Sequence, residues 1–372
     1  MADTRQWTRR NIVRTGAAVA AGTALAGCIS DGDGGSGDGS GDGESYSVSM
    51  PPVDEVEFEG VPETWVANNG SWADMGVALG RDPPEALWMP SRYHTRYYDE
   101  VPDVSIDGGS IDALYEDGDG VDKEKFYDHD ADVHVIDPNF LQNRYDGWEE
   151  SDIEDVAGVG PFFGNSIFSR EYDWHDDYEY LTLYEAFEKL SQVFQEEERY
   201  EAFAELHDEF QSTLEDVVPP EEERPAVAVL WPNGDGTFLP YVINEGTSFK
   251  QWRDLGVRDA LAESDVEDFH SSRGQIDYET LLEVDPDVIL CRGNEDASAE
   301  EFRETVVADM EADAAGGELT AVRNGDVYRG GPLYQGPITN LVVTQRAAEQ
   351  VYDVDEQLFD PEAVSDIVNG DA

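Results

Sequence analysis

The most conspicuous run of possible ligand-binding residues is Arg92-Tyr93-His94-Thr95-Arg96-Tyr97-Tyr98, in which two arginines stand among three tyrosines. Guanidinium groups bind anions through several N–H donors, and aromatic faces pack against cations and organic rings. The run therefore suits an anionic metal chelate. It also suits an ordinary helix start in which the arginines pair with Asp99 and Glu100. The candidates taken from it are Arg92, Tyr93, Arg96 and Tyr97.

Further candidates come mainly from loops that follow predicted strands, because open α/β sheets bind ligands at the carboxyl ends of their strands. Phe162 and Phe163 are candidates for the rim of the site. An aromatic residue is more often part of a core than a ligand contact, so the hypothesis rests on the whole cluster. These additional candidates are Trp65, Asn68, Asn69, Trp72, Phe162, Phe163, Trp231, Tyr241 and Arg292.

The histidines do not form the pattern of a metal site. A zinc or manganese site needs about three spaced histidines plus a carboxylate, whereas His94, His134, His175, His207 and His270 are scattered. The sequence also lacks His-Glu-x-x-His, Gly-x-Ser-x-Gly and a phosphate loop. We therefore expect no enzyme and no intrinsic cofactor, with direct metal-ion binding kept as an alternative.

The N-terminus carries the pattern of an exported, lipid-anchored protein. Arg9 and Arg10 precede a weak apolar run at residues 16–26, which is shorter than the roughly 20 residues that span a bilayer. The arginine pair resembles a twin-arginine export signal, and Leu-Ala-Gly-Cys28 resembles a lipoprotein lipobox. We predict a signal peptide at 1–27, lipidation of Cys28 and a flexible Gly/Ser/Asp-rich linker at 28–49.

The composition is strongly acidic, with 84 acidic and 23 basic residues and a formal net charge of −61. A folded domain with this charge repels itself unless salt screens it, and in molar salt the Debye length is about 3 Å. The composition resembles that of haloarchaeal proteins. No basic patch is present, so nucleic acid is excluded as a partner. Besides Cys28 there is only Cys291, which leaves no intrachain disulfide.

An internal repeat indicates the domain organisation. Residues 121–135 align without a gap against 276–290, and each copy predicts a short helix capped by Asp, a tight turn and a buried strand. Two distant copies indicate two duplicated lobes rather than a solenoid. The identical pairs are Asp122/Asp277, Glu124/Glu279, Asp130/Asp285, Asp132/Asp287 and Val133/Val288.

Between the copies lies the longest helical pattern. Apolar residues recur every three or four positions from 184 to 217, and Pro219-Pro220 ends the pattern. Residues 226–231 predict the first strand of a second α/β lobe. Residues 325–329 predict a late strand, and residues 338–351 predict a closing helix packed on that second lobe.

These features together resemble the substrate-binding proteins of ABC importers, and more narrowly the class that serves ferric siderophores, vitamin B12 and haem. Both repeat copies resemble the "Leu-Glu-x-Leu-leu-x-leu-x-Pro-Asp-Val-Ile" segment of that class, and residues 319–328 resemble its second-lobe pattern. The resemblance implies an α/β fold of two three-layer αβα lobes with mostly parallel central sheets, joined by a long α-helix. The lobes fall at 50–180 and 220–372, with the helical segment at 181–219.

The resemblance also implies a function. A monomer on the extracytoplasmic face of the membrane, held only by its lipid anchor, captures a metal chelate between its lobes. It delivers the chelate, a ferric siderophore ahead of cobalamin or haem, to an ABC permease and its ATPase. Glu124 and Glu279 match the lobe-tip carboxylates that dock on the permease, and both also suit the first turn of a helix. A cell-surface sensor or adhesion domain is the alternative.

Overall fold

The computed structural model describes residues 45–116, 120–170, 172, 174–175 and 177–371. The predicted signal peptide with Arg9 and Arg10, and the lipidation site Cys28, lie outside these residues. Within them, no helix is both long enough and apolar enough to cross a membrane.

Short strands alternate with helices along the chain. The strands are β1 Tyr46–Met50, β2 Asp54–Phe58, β3 Trp65–Ala67, β4 Ala86–Leu87, β5 Asp112–Ala113, β6 Tyr115–Glu116, β7 Gly120–Val121, β8 Val133–Val135, β9 Ala226–Pro232, β10 Thr237–Tyr241, β11 Arg258–Asp259, β12 Ile276–Asp277, β13 Val288–Cys291 and β14 Val327–Arg329. The helices are α1 Gly70–Ala78, α2 Lys123–His129, α3 Pro138–Arg144, α4 Glu150–Ala157, α5 Leu183–Phe194, α6 Glu197–Val217, α7 Lys250–Asp254, α8 Phe269–Ser272, α9 Tyr278–Val284, α10 Ala299–Phe302, α11 Ala308–Ala312, α12 Thr320–Asn324, α13 Pro337–Tyr352 and α14 Pro361–Asn369.

The first lobe is built on a parallel sheet with the strand order β5-β4-β3-β8. Every residue of β3 and β8 is buried, as expected for parallel strands covered on both faces. A separate hairpin, β1–β2, buries alternate residues of each strand against the core. Because β1 begins at Tyr46, the predicted linker at 28–49 runs four residues too far.

The second lobe has a larger sheet with the order β12-β10-β9-β13-β14, and β11 also pairs with β9. Strands β11, β9, β13 and β14 are parallel, whereas β10 and β12 are antiparallel additions at one edge. The two lobes confirm the predicted α/β fold class with mostly parallel central sheets.

The two repeat copies fold alike. The side chains of Asp122 and Asp277 accept hydrogen bonds from backbone N–H groups in the first turns of α2 and α9. Asp130 and Asp285 end these helices in the left-handed conformation, with φ values of 48° and 43°. The predicted order of helix, turn and strand is confirmed in both copies.

The last aspartate of each copy sets the register of the sheet. The carboxylate of Asp132 accepts the backbone N–H of Thr64 at 2.9 Å, directly before β3. Asp287 accepts the N–H of Ala226, the first residue of β9, at 2.8 Å. The repeat therefore encodes both a helix–turn–strand unit and its attachment to the neighbouring parallel strand.

The predicted helical segment at 181–219 contains two helices. A capping box between Thr182 and Glu185 begins α5, and Gln195 ends it with a φ of 53°. The 21 residues of α6 span roughly 30 Å and lead to the second lobe. The conformation of Gln195 therefore divides what the hydrophobic pattern presented as one helix.

Helix α13 packs on the second lobe, as predicted, and it also packs on the first. It contacts α7 of the second lobe and α1 of the first. Its residues Ile338, Leu341 and Val343 belong to one buried cluster that also contains Trp65 of the first lobe and Val229 of the second. The core is therefore continuous across the two lobes.

The first lobe caps α13. Gly336 offers no side-chain cap, and the buried carboxylate of Asp74 accepts the backbone N–H groups of Ile338 and Thr339 at 3.0 and 3.1 Å. The hydroxyls of Thr339 and Tyr98 also donate to it. A Cβ on Gly336 would lie 2.3 Å from the carboxylate, so the helix start must be glycine for Asp74 to reach it.

This cap predicts a pH-dependent contribution to stability. Burial raises the pKa of Asp74 to about 6, above the usual value near 3.9, so protonated Asp74 favours the folded state. That contribution is complete below about pH 4 and is lost as the pH rises through 6. Relative to Asp74→Asn, the wild type should lose about 3 kcal/mol of unfolding free energy across this interval and nothing further above it.

Urea unfolding in molar salt, at a series of pH values, measures this difference. Asp99→Asn, which changes an exposed aspartate, is the control and should follow the wild type at every pH. Parallel pH profiles for the wild type and Asp74→Asn would contradict the prediction.

Candidate ligand-binding cleft

A cavity of about 230 Å³ lies between the two lobes. Its wall is aromatic and cationic. The first lobe contributes Trp88, Arg92, Arg144, Phe168, Ser169 and Tyr172. The second lobe contributes Trp231, Leu239, Tyr241, Ser248, Phe269, His270, Arg273, Arg292, Leu333 and Tyr334.

The carboxyl ends of the parallel strands position this wall. Trp88 directly follows β4, and Arg144 ends α3, the helix after β8. In the second lobe, Trp231 lies near the end of β9 and Arg292 directly follows β13. The cleft thus occupies the edge at which open α/β sheets bind ligands.

Arg292 is the deepest cation of the cleft, with 1% of its surface exposed. Its guanidinium carbon lies 4.0 Å from the ring centre of Phe249 and 5.3 Å from that of Tyr241. It donates to the backbone oxygen of Ser248, while its Nε has no partner among the described groups. Burial lowers its pKa to about 10, so it remains charged at neutral pH.

Three more arginines surround Arg292. Arg92 lies 5.8 Å from the ring centre of Trp88, and Arg273 lies over the ring of Phe269 at 5.4 Å. Arg273 and Arg144 are exposed, so positive charge extends to the mouth of the cleft.

The described lining residues include no Asp or Glu, although the chain has 84 of them. Such a wall attracts anions.

The tyrosines of the wall do not reduce this positive charge. Burial raises the pKa of Tyr334 to about 12, and it also raises the pKa values of Tyr241 and Tyr172. Their hydroxyls are therefore neutral at physiological pH and act as hydrogen-bonding groups. Stacked and edge-on rings, such as Phe168 against Tyr334 at 5.4 Å, form the rest of the wall.

The structure brings four of the sequence candidates together in this cavity: Arg92, Trp231, Tyr241 and Arg292. Trp231 and Arg292 lie at the carboxyl ends of the parallel strands β9 and β13, whereas Tyr241 ends β10, which runs antiparallel to β9. The argument from loops after strands therefore led to three residues of the second-lobe wall, Trp231, Tyr241 and Arg292.

The other candidates from the arginine–tyrosine run lie elsewhere. The hydroxyl of Tyr93 is 2.5 Å from that of Tyr98, next to the Asp74 cap. Tyr97 donates to the carboxylate of Glu295, and Arg96 donates to the backbone oxygen of that residue. Arg96 and Tyr97 connect the first lobe to the second, and none of the three lines the cleft.

The remaining candidates are side chains of the core of the first lobe. The indole N–H of Trp65 donates to the backbone oxygen of Asp82, and Asn69 caps α1 by accepting the N–H of Ser71. None of this group lines the cavity, because all six side chains are buried in the packing of the first lobe, including Asn68 and Asn69 directly after β3. The group is Trp65, Asn68, Asn69, Trp72, Phe162 and Phe163.

Several residues of the wall were missed. Arg144 and Arg273 could have been found from the scarcity of basic residues, which is the signal that pointed to Arg92. Trp88 and Tyr334 carried no such signal, since each is an aromatic residue among many. Only the packing of α13 between the lobes places Tyr334 opposite Trp88 in one cavity.

The histidines form no metal site in the part of the chain that the structure describes, where no three His, Cys, Asp or Glu side chains come together to hold an ion. His134 is buried between Phe126 and Phe162, and burial lowers its pKa to about 4. It is a neutral core residue within β8.

Comparison with known proteins agrees with this geometry. Residues 165–333 match the family model described as periplasmic binding protein. This segment contains most of the second-lobe wall and part of the first. A comparison with curated proteins found no match.

Solved structures of binding proteins share the fold. A periplasmic binding protein from Veillonella parvula has a TM-score of 0.58 and 15% identity, covering 84% of this chain and 99% of its own. FeuA from Bacillus subtilis, a triscatecholate siderophore binding protein complexed with ferri-bacillibactin, has a TM-score of 0.54 and 16% identity, covering 82% and 97%. SirA from Staphylococcus aureus, complexed with staphyloferrin B, has a TM-score of 0.56 and 13% identity, covering 82% and 98%.

These similarities confirm the two-lobe binding-protein fold. The family model and the structural neighbours are those of binding proteins and not of enzymes, in agreement with the sequence prediction.

The close approach of Gly293 to the cleft gives a test of its wall. Gly293 has a φ of 79°, and a Cβ there would lie 2.5 Å from the indole of Trp231. Gly293→Ala should therefore displace Trp231 and reduce the unfolding free energy by about 2–4 kcal/mol, from backbone strain plus overpacking.

Urea unfolding and tryptophan emission measure the two effects. Gly234→Ala is the matched control, because Gly234 has a φ of 77° with nothing within 4 Å of the added Cβ. The control should lose only about 1–2 kcal/mol of unfolding free energy, from backbone strain, and its tryptophan emission should be unchanged. Equal losses in the two variants would contradict the contact with Trp231.

Proposed function

We propose that the protein is an extracytoplasmic solute-binding protein that captures an anionic metal chelate between its lobes and delivers it to an ABC permease. The observation that carries the proposal is the charge of the cleft. Four arginines and no described acid line it, in a chain with a net charge of −61. A positive, aromatic wall within such an acidic protein favours one class of ligand, an anion with aromatic or apolar parts.

A ferric siderophore is the ligand that this wall suits best, ahead of cobalamin or haem. The neighbours FeuA and SirA were solved with ferri-bacillibactin and staphyloferrin B. The cavity of about 230 Å³ is below the roughly 300–1,000 Å³ of typical ligand pockets, so the chelate extends to the exposed arginines at the mouth. The metal is part of the cargo, and no intrinsic cofactor is required.

Delivery requires a membrane partner and a means of staying near it. The lipobox at Cys28 and the Gly-rich linker after it would tether the monomer to the membrane beside the permease and its ATPase. Glu124 and Glu279 are exposed at the second positions of α2 and α9, the matching helices of the two lobes. One carboxylate on each lobe suits docking on arginines of a two-fold permease.

Ligand binding is measured by tryptophan fluorescence, because Trp88 and Trp231 line the cleft. Titration in molar salt should show saturable quenching by an anionic ferric siderophore. Arg144→Gln and Arg273→Gln should each weaken binding about tenfold, since each removes one charge-assisted contact. Arg303→Gln, which changes an exposed arginine outside the cleft, should leave the affinity unchanged.

Cobalamin and haem are titrated in the same way to rank the ligand classes. Failure of the protein to bind any ferric siderophore, cobalamin or haem would contradict the proposed function.

Permease docking is measured by uptake. Cells carrying Glu124→Ala together with Glu279→Ala should take up the chelate several-fold more slowly, while the purified variant binds it as tightly as the wild type. Glu215→Ala, an exposed change on α6, is the control. Because salt screens exposed ion pairs, the defect should reflect lost orientation more than lost affinity. Normal uptake by the double variant would rule out the docking role.

A further inference from the structure

A second cavity, of about 440 Å³, shares no lining residue with the cleft. Arg96 and Tyr97 of the first lobe line it, together with Arg329 and Arg346 of the second. Its arginines therefore come from both sides of the contact between the lobes. In a chain with only 23 basic residues, three arginines at one cavity form an unusual concentration of charge.

Each of the three guanidiniums holds the same segment of the second lobe. Arg96 donates through Nη1 to the backbone oxygens of Glu295 and Ala297. Arg329 donates through Nη1 to the oxygen of Ala297 at 2.7 Å, and Arg346 donates through Nη2 to the carboxylate of Glu295 at 2.9 Å. An arginine has five N–H donors, so each guanidinium keeps further donors for a ligand.

The lining of this cavity holds as many acids as arginines, and a buried carboxylate faces the arginines as well. Glu295, with 1% of its surface exposed, is the one buried carboxylate facing the three arginines within the described structure. Besides the bond from Arg346, it accepts hydrogen bonds from Tyr97 and from the backbone N–H of Gly331. Burial and the neighbouring Arg346 lower the pKa of Arg329, as expected for crowded positive charges.

Three of the lining residues are acidic. Glu100, Glu349 and Asp355 line the cavity and are exposed. At low salt they oppose the entry of an anion, whereas in molar salt their field decays over about 3 Å. Arg329 and Arg346 are half-buried and are screened less than these exposed acids, so high salt favours anion binding here.

We propose that this cavity binds a small oxyanion, such as a carboxylate or sulfate, which bridges Arg96 of the first lobe to Arg329 and Arg346 of the second. Paired N–H donors of guanidinium match the geometry of two oxygens on one anion. A bound oxyanion adds a link between the lobes at the segment that also carries Arg292. The site is separate from the cleft and does not depend on what the cleft binds.

Isothermal titration calorimetry of citrate and of sulfate into the protein in molar KCl tests the site. We expect saturable binding of one anion per chain, weakened at least about tenfold in both Arg96→Gln and Arg329→Gln. Arg303→Gln is the matched control and should bind as the wild type does. Arg346 is left intact, since its removal would leave Glu295 buried without a counter-charge.

The two anions distinguish the possible classes of ligand. Binding of citrate alone assigns a carboxylate ligand, binding of sulfate alone assigns a tetrahedral oxyanion, and binding of both assigns a general oxyanion site. Calorimetric saturation is the readout because sulfate stabilises folded proteins without binding. No saturable binding of either anion, or equal binding by the wild type and both arginine variants, would overturn the proposal.

Discussion

The buried carboxylate of Asp74 is the contact on which the arrangement of the two lobes depends. It lies on α1 of the first lobe and supplies the N-terminal cap that Gly336 cannot give to α13. Leaving those backbone N–H groups unsatisfied would cost about 1–3 kcal/mol each, and an unpaired buried carboxylate would cost more. The carboxylate of Asp74 and the N-terminus of α13 therefore require each other, and this contact fixes how the lobes are arranged.

Helix α13 extends that constraint to both cavities. Tyr334, shortly before the start of the helix, lines the cleft, and Arg346, in its second half, lines the other cavity. A shift of the helix relative to α1 would change the two sites together. The network around Glu295 reinforces the same arrangement, because Tyr97 and Arg96 of the first lobe contact it.

Local patterns were enough to predict the fold class but not the contacts between the lobes. The helix–turn–strand order of the repeat and the α/β class followed from capping aspartates and apolar runs, which act within about fifteen residues. The same reasoning placed Arg96 and Tyr97 in the cleft, and their partner Glu295 lies about two hundred positions away. The sequence likewise predicted the packing of α13 on the second lobe but not on the first, because a hydrophobic pattern does not reveal which surface covers each face of a helix.

The sequence by itself determined the repeated unit, the strong acidity and the scarcity of basic side chains, because these are properties of composition and short-range order. It also indicated Trp231, Tyr241 and Arg292, since strand ends are readable from local patterns, and Arg92, since basic residues are scarce. The tertiary structure alone decided which arginines share a cavity and which hold the lobes together. The physical reason is that the role of a guanidinium depends on the groups around it. Those groups are distant in the sequence and come together only when the contact of Asp74 with α13 has joined the two lobes.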